Sequence, residues 1–187
     1  FQASKPVKHA YVTVTALGIY NLYLNGQKVG KDELTPGWTS YNKHLCYQTY
    51  DVTGQIKQGG NAIGAMLGAG WYKGLMGFLH KRNNYGKQTA LLAQLQLCYE
   101  DGTCEQVVTD ASWKGMDSPV LFAEIYDGEV YDARKEISGW CEAGFDDSGW
   151  RDTEIVAFDK KALTAQAAAK PAEMTEVPAV RIFTTPQ

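Results

Sequence analysis

Cationic charge, long apolar runs, histidine and clustered cysteine are all in short supply in this sequence. Each shortage removes a class of function. Lys and Arg number 18 against 21 Asp and Glu, a net charge of −3, and the cations form no stripe. A nucleic-acid partner, which needs a basic footprint, is therefore not expected. No apolar run approaches the roughly 20 residues that span a bilayer as a helix, so no membrane partner is expected either. The three histidines (His9, His44, His80) and four cysteines (Cys46, Cys98, Cys104, Cys141) lack zinc-site spacing. A nucleophile elbow of the Gly-x-Ser-x-Gly type is also missing. The chain opens on Phe1 without a leader pattern. An internal or processed start is expected, which leaves the compartment open.

Strand signals are plentiful. Aromatics make up 12% of the residues, enough to furnish a β-rich core and still leave rings for ligands. Strands are predicted at Tyr11–Ala16, Ile19–Leu24, Tyr47–Val52, Asn61–Leu67, Thr89–Tyr99, Cys104–Thr109, Val120–Tyr126, Val130–Tyr131 and Glu154–Phe158. Asn25-Gly26 predicts a hairpin turn before Gln27-Lys28-Val29, and Gly59-Gly60 predicts another turn. Residues 68–86 form a long Gly-rich, aromatic loop, a length that usually marks function. Helical periodicity is scarce. The Ala-rich stretch Lys160–Lys170, bounded by Pro171, reads as a helix or a linker. Many short strands with regular turn signals define an all-β fold, an antiparallel β-sandwich or jelly roll. The sandwich is expected over residues 1–158, with a linker and the start of a further segment over 159–187.

Cys98 and Cys104 flank Asp101-Gly102. A two-residue loop would put them on opposite faces, whereas a three-residue loop, Glu100-Asp101-Gly102, would put them opposite each other. The spacing fits either, and free thiols are the expectation.

Six phrases stand in order: YNLYLNGQKVG (20–30), LTPGWTSYNK (34–43), YQTYDVT (47–53), GNAIGAMLGAGWYKG (60–74), YDGEVYDAR (126–134) and GFDDSGW (144–150). The series resembles the N-terminal domain of bacterial α-L-rhamnosidases, glycoside hydrolase family 78, over residues 8–156. The resemblance implies a galactose-binding-like jelly roll preceding an (α/α)6 catalytic barrel that releases terminal α-L-rhamnose with inversion. It also implies similarity to carbohydrate-binding module family 67, which holds L-rhamnose through calcium. The catalytic carboxylates would lie in the barrel, so this chain should hold no catalytic residue and be inactive alone. Relatives carry Asp after the Thr of the PGWT phrase, where this chain has Ser40. Calcium is therefore a doubtful cofactor here, and no other is expected.

Two clusters are site candidates. Glu124, Asp127, Glu129, Asp132 and Glu136 supply carboxylates, but an inverting pair needs a separation of about 6.5–9.5 Å across a substrate. Ion pairing with Arg134, a turn at Asp127-Gly128, or an interdomain contact through Glu129, Asp132 and Arg134 accounts for them more simply. The second cluster joins Trp38, Thr39 and Ser40 to Trp71, Tyr72, Asn83, Asn84 and Tyr85. Rings for sugar C–H faces beside amides and hydroxyls make a carbohydrate-binding set, and a rhamnose-containing glycan is the expected ligand. Trp113 should plug the sandwich end, Trp140 and Trp150 should fix a loop to the sheet, and Asn25 and Asp51 should serve turns. A stand-alone lectin-like or adhesion module is the alternative; the proline-punctuated segment 178–187 argues against it.

Overall fold

The computed structural model describes residues 1–77 and 80–184. Phe78 and Leu79 of the expected loop, and Thr185–Gln187 of the expected further segment, lie outside them. In chain order the strands are β1 (Gln2–Ala3), β2 (Val7–Leu17), β3 (Ile19–Leu24), β4 (Gln27–Lys28), β5 (Leu45–Asp51), β6 (Gly59–Gly60) and β7 (Ile63–Gly68). They continue as β8 (Ala90–Tyr99), β9 (Cys104–Val108), β10 (Lys114–Gly115), β11 (Val120–Glu124), β12 (Gly128–Tyr131), β13 (Arg151–Asp152) and β14 (Leu163–Ala165). One helical turn, α1 (Gly70–Lys73), follows β7.

Two layers make the sandwich. The wide layer runs β14-β5-β2-β8-β9 and the narrow one β4-β3-β7. Alternation decides which side chains meet between them. Val12, Val14 and Ala16 of β2, with Ala93, Leu95 and Leu97 of the adjacent β8, face Tyr20, Leu22 and Leu24 of β3, all almost fully buried. Each buried Val or Leu among them contributes about 1.5–3 kcal/mol relative to exposure. The Asn25-Gly26 turn forms as the sequence dictates, and Asn25 also donates to the Gln55 carbonyl and to Asn61 Oδ1, both at 2.8 Å. Asp51 accepts the Thr53 N–H and hydroxyl at 2.9 and 2.6 Å, closing the turn after β5.

Several expectations change. Gly59-Gly60 is not a turn: it pairs with Gln2-Ala3, stitching the N-terminus to the fold. The stretch Glu154–Phe158 forms no strand; Val156 and Phe158 instead pack against the Leu17, Tyr41, Leu45 and Tyr72 cluster. Trp113 does not plug the sandwich. It is half-buried, and its indole N–H donates to the Val108 carbonyl at 3.0 Å. Trp140 does anchor its loop, meeting Tyr23 edge-on at 5.3 Å between ring centroids. The Ala-rich stretch is neither helix nor free linker. Lys160–Ala162 makes a 3-10 turn, and Leu163–Ala165 pairs parallel to Leu45–Tyr47.

The cysteines correct another expectation. Cys98 and Cys104 are direct partners across β8 and β9 and form a disulfide, with Cα atoms 4.2 Å apart. The three-residue loop is the one realised. Gly102 takes φ +82°, and the Tyr99 N–H donates to the Thr103 carbonyl at 2.8 Å. Cys46 and Cys141 remain free thiols. Reducing the short loop closed by this bond is expected to cost about 2 kcal/mol on chain-entropy grounds. Denaturant midpoints with and without reductant measure it, with Cys98→Ser as the matching variant.

Candidate functional site

The loop after β3-β4 and the loop after β7 meet at one end of the sandwich, beside β5. Tyr41 is the hub. It is 1% exposed, and its hydroxyl donates to the Gly37 carbonyl at 2.9 Å. Its ring meets Tyr72 edge-on at 5.2 Å and Tyr85 at 4.9 Å. Tyr72 is placed by α1, and its hydroxyl lies over Gly86, where an added Cβ would sit 2.0 Å away. Glycine is required there. Trp38 stands outside this cluster, 56% exposed, its indole N–H donating to the Tyr85 hydroxyl at 3.3 Å.

Beside the rings lies a concavity of about 400 Å³. Trp38 and Trp71 line it with Leu34, Pro36 and Cys46, and the segment Gln166–Ala169 with Pro171 closes its far side. That segment follows β14 as a strap. The Glu33 N–H donates to the Pro171 carbonyl at 2.9 Å, and Lys170 pairs with Asp32 and stands over the Tyr50 ring. Beneath it the inward-facing Gln48 donates to Gln166 Oε1 and accepts from the Tyr20 hydroxyl at 2.6 Å.

Of the expected sugar-binding residues, Trp38, Thr39 and Trp71 line the concavity, while Tyr72 and Tyr85 support it from behind. Ser40, Asn83 and Asn84 are exposed and are not among its lining residues. The Ser40 carbonyl receives the Lys43 and His44 N–H groups, and Asn84 donates its amide to the Lys81 carbonyl. The strap residues went unseen in the sequence, because Gln166-Ala-Ala-Ala carries no motif and its neighbours lie at positions 34–71, far earlier in the chain.

Calcium takes six to eight oxygens, usually with carboxylates among them. The residues here do not fit it. The cleft lining is nearly all apolar, and the Thr39 hydroxyl is engaged by the His44 carbonyl. Among the described residues no group of three or more His, Cys, Asp or Glu converges.

The acidic cluster is tied into local structure. Arg82 pairs with both Glu124 and Asp127, the latter at 2.9 Å, and covers the Phe122 ring. Glu124, with only 7% of its side chain exposed, also accepts the Leu75 N–H at 3.0 Å. Asp132 caps the 3-10 turn after β12 and accepts Arg134 in a two-pronged pair at 2.7 and 2.8 Å. Arg134 is otherwise exposed, as is Glu129 on the β11-β12 hairpin.

Burial holds several phenols protonated. Tyr20 is pushed up to about 12, and burial also raises Tyr41 and Tyr50, the latter further by the neighbouring Tyr20. These groups keep their protons in the folded chain where the unfolded chain, ionising near 10, would lose them. Their contribution is thus complete below pH 10 and declines as pH rises beyond it. Denaturant midpoints are expected to fall steadily from pH 10 to 12, with phenolate absorbance rising as the fold is lost.

Fold and site together define a β-sandwich module with ring-lined relief at one end, and Glu124, Asp127 and Asp132 of its acidic cluster are engaged in ion pairs. Residues 5–176 match the family model of the α-L-rhamnosidase N-terminal domain, and the chain belongs to that family. It is 47% identical over 146 residues to an α-L-rhamnosidase of Streptomyces avermitilis, covering 78% of this chain and 14% of that protein. The crystal structure of a Streptomyces avermitilis α-L-rhamnosidase complexed with L-rhamnose superposes with a TM-score of 0.79 at 45% identity, over 81% of this chain and 15% of that one. The native α-L-rhamnosidase of Aspergillus terreus gives 0.87 at 42% identity, over 88% and 19%. The chain thus spans less than a fifth of each of these relatives.

Proposed function

We propose that the whole protein is an α-L-rhamnosidase that removes terminal α-L-rhamnose from glycans or glycosides, and that this domain serves it without doing chemistry. The family membership supports the activity, and the small share of each relative that is matched supports a catalytic domain elsewhere in the polypeptide. An aryl α-L-rhamnoside tests both parts. The parent-length protein should hydrolyse it and residues 1–187 should not; turnover by the short chain would end the reading.

The observation that carries a sugar-facing role is the exposed Trp38 ring at the mouth of a cleft shared with Trp71. A rhamnose-containing glycan would lay its C–H faces and 6-methyl group on those rings. Calcium plays no part in this reading. Calorimetry with L-rhamnose should give weak binding that is equal with and without calcium and lost, by at least about tenfold, in Trp38→Ala. A flat titration at millimolar sugar would leave the domain as scaffold only. The β11-β12 hairpin, presenting Glu129 with Asp132 and Arg134 at its base, would then supply a contact to neighbouring domains. Unchanged stability and activity of the parent-length Arg134→Ala protein would remove that contact.

A further inference from the structure

The cleft between Trp38 and the strap offers few polar groups for a ligand of its size. Its volume of about 400 Å³ falls within the range of small-molecule sites. No charged side chain lines it, and Leu34, Pro36, Cys46 and the three alanines of Gln166–Ala169 supply most of the wall. The polar side chains present are largely engaged. The Trp38 indole N–H donates to the Tyr85 hydroxyl at 3.3 Å, the Thr39 hydroxyl donates to the His44 carbonyl, and the Gln166 side-chain oxygen accepts from Gln48. That leaves the Trp71 indole N–H, the Gln166 amide nitrogen and the weakly bonding Cys46 thiol among the described side chains.

A sugar ring carries a hydroxyl on most of its carbons, and each hydroxyl buried without a partner costs free energy. Two N–H donors and a thiol are too few for so many. They suffice for the ether or phenol oxygen of an aromatic group. Indole rings also attract other aromatic rings beyond the area they bury. The lining therefore separates two positions. Trp38, 56% exposed at the mouth, offers its face to a sugar whose hydroxyls stay in water. The apolar wall behind it suits a ring that leaves water.

We propose that the cleft holds the aromatic aglycone of a rhamnoside, with the rhamnose itself outside against Trp38. The inference rests on the reading of the whole protein as an α-L-rhamnosidase acting on glycosides, and it names the part of the substrate that this domain grips. With no charge in the lining, the aglycone must be neutral. The strap keeps the space open. Ala167, Ala168 and Ala169 are small side chains along the wall, and the pairs Gln166–Gln48 and Lys170–Asp32 fix both ends of that run. A larger side chain there would occupy the room the ring needs.

Photolabelling of the parent-length protein with 4-azidophenyl 1-thio-α-L-rhamnoside tests it, since the thio linkage resists hydrolysis. Label should fall on Trp38, on Trp71 and on the peptide containing Gln166–Lys170. 2-Naphthyl 1-thio-α-L-rhamnoside should suppress that label at a concentration at least about tenfold below the one needed with methyl α-L-rhamnoside, the gain from burying about 60 Å² of ring. Ala168→Glu changes an exposed position, so the melting temperature should hold while the label is lost. Label confined to other parts of the polypeptide overturns the proposal, as when another domain covers the cleft. Equal suppression by the methyl and naphthyl compounds overturns it too. Suppression by 2-naphthol as strong as that by its rhamnoside leaves the ring pocket standing and refutes the sugar-facing role of Trp38. Turnover of an aryl O-rhamnoside is scored separately: label in the cleft without turnover refutes the enzymatic reading and keeps the pocket.

Discussion

Tyr41→Ala should destabilise the domain by about 3–5 kcal/mol, the cost of truncating a fully buried aromatic side chain. The loss is larger than that of an ordinary core position in its consequences, because Tyr41 joins two loops that otherwise share little. Its ring touches Tyr72 and Tyr85, and its hydroxyl satisfies the Gly37 carbonyl one residue before Trp38. Removing it frees both walls of the cleft, so any sugar affinity should vanish along with the stability. Tyr41→Phe separates the two contributions. It keeps the packing and loses one hydrogen bond, about 1 kcal/mol. Urea denaturation followed by tryptophan fluorescence reads both variants. A Tyr41→Ala protein as stable as the parent would show that the loops are held by something else.

Glu124→Ala is the second change with a large expected effect, about 2–3 kcal/mol. The carboxylate is buried beside the turn of the β11-β12 hairpin and holds the long loop from two sides, through the Leu75 N–H and the Arg82 guanidinium. Without it an amide loses its acceptor, and Arg82 retains only the exposed Asp127. Limited trypsin digestion is a direct measure. Cleavage at Lys81 and Arg82 should accelerate at least tenfold in Glu124→Ala, and less in Glu124→Gln, which still accepts from Leu75. Equal cleavage rates in all three proteins would show that the pair does not restrain the loop.

The sandwich was legible wherever alternation was strong. Ile19–Leu24 reads as a strand to the residue, because IYNLYL alternates between the core and the outside. The hairpin at Asn25-Gly26 was legible because local backbone chemistry alone decides it. Pairings made over long separations were not legible. Gly59-Gly60 looks like a turn until Gln2-Ala3 supplies its partner, and Leu163–Ala165 looks like a linker until β5 does. The disulfide turned on a single residue of loop length, a choice the spacing leaves open. The site was half legible. Rings at Trp38, Trp71, Tyr72 and Tyr85 do converge, but Ser40, Asn83 and Asn84 lie outside the cleft lining, their polar groups or neighbouring backbone serving the turns. The strap's small side chains enter the cleft only because the sheet brings them there.

The parallel pairing of β14 with β5 has a consequence for synthesis on the ribosome. Strands β2, β5 and β8 can assemble as soon as residue 99 has emerged, yet the outer flank of β5 is sealed by residues 163–165 and by Gln166 on Gln48. Throughout the making of more than sixty further residues, the nascent sheet carries a raw border, a ready template for clumping with other copies. Gene fragments that stop short of Gln166 would keep that border for good and should collect in inclusion bodies. Those that extend through Glu173, whose N–H closes the strap onto the Lys31 carbonyl, should stay in the supernatant.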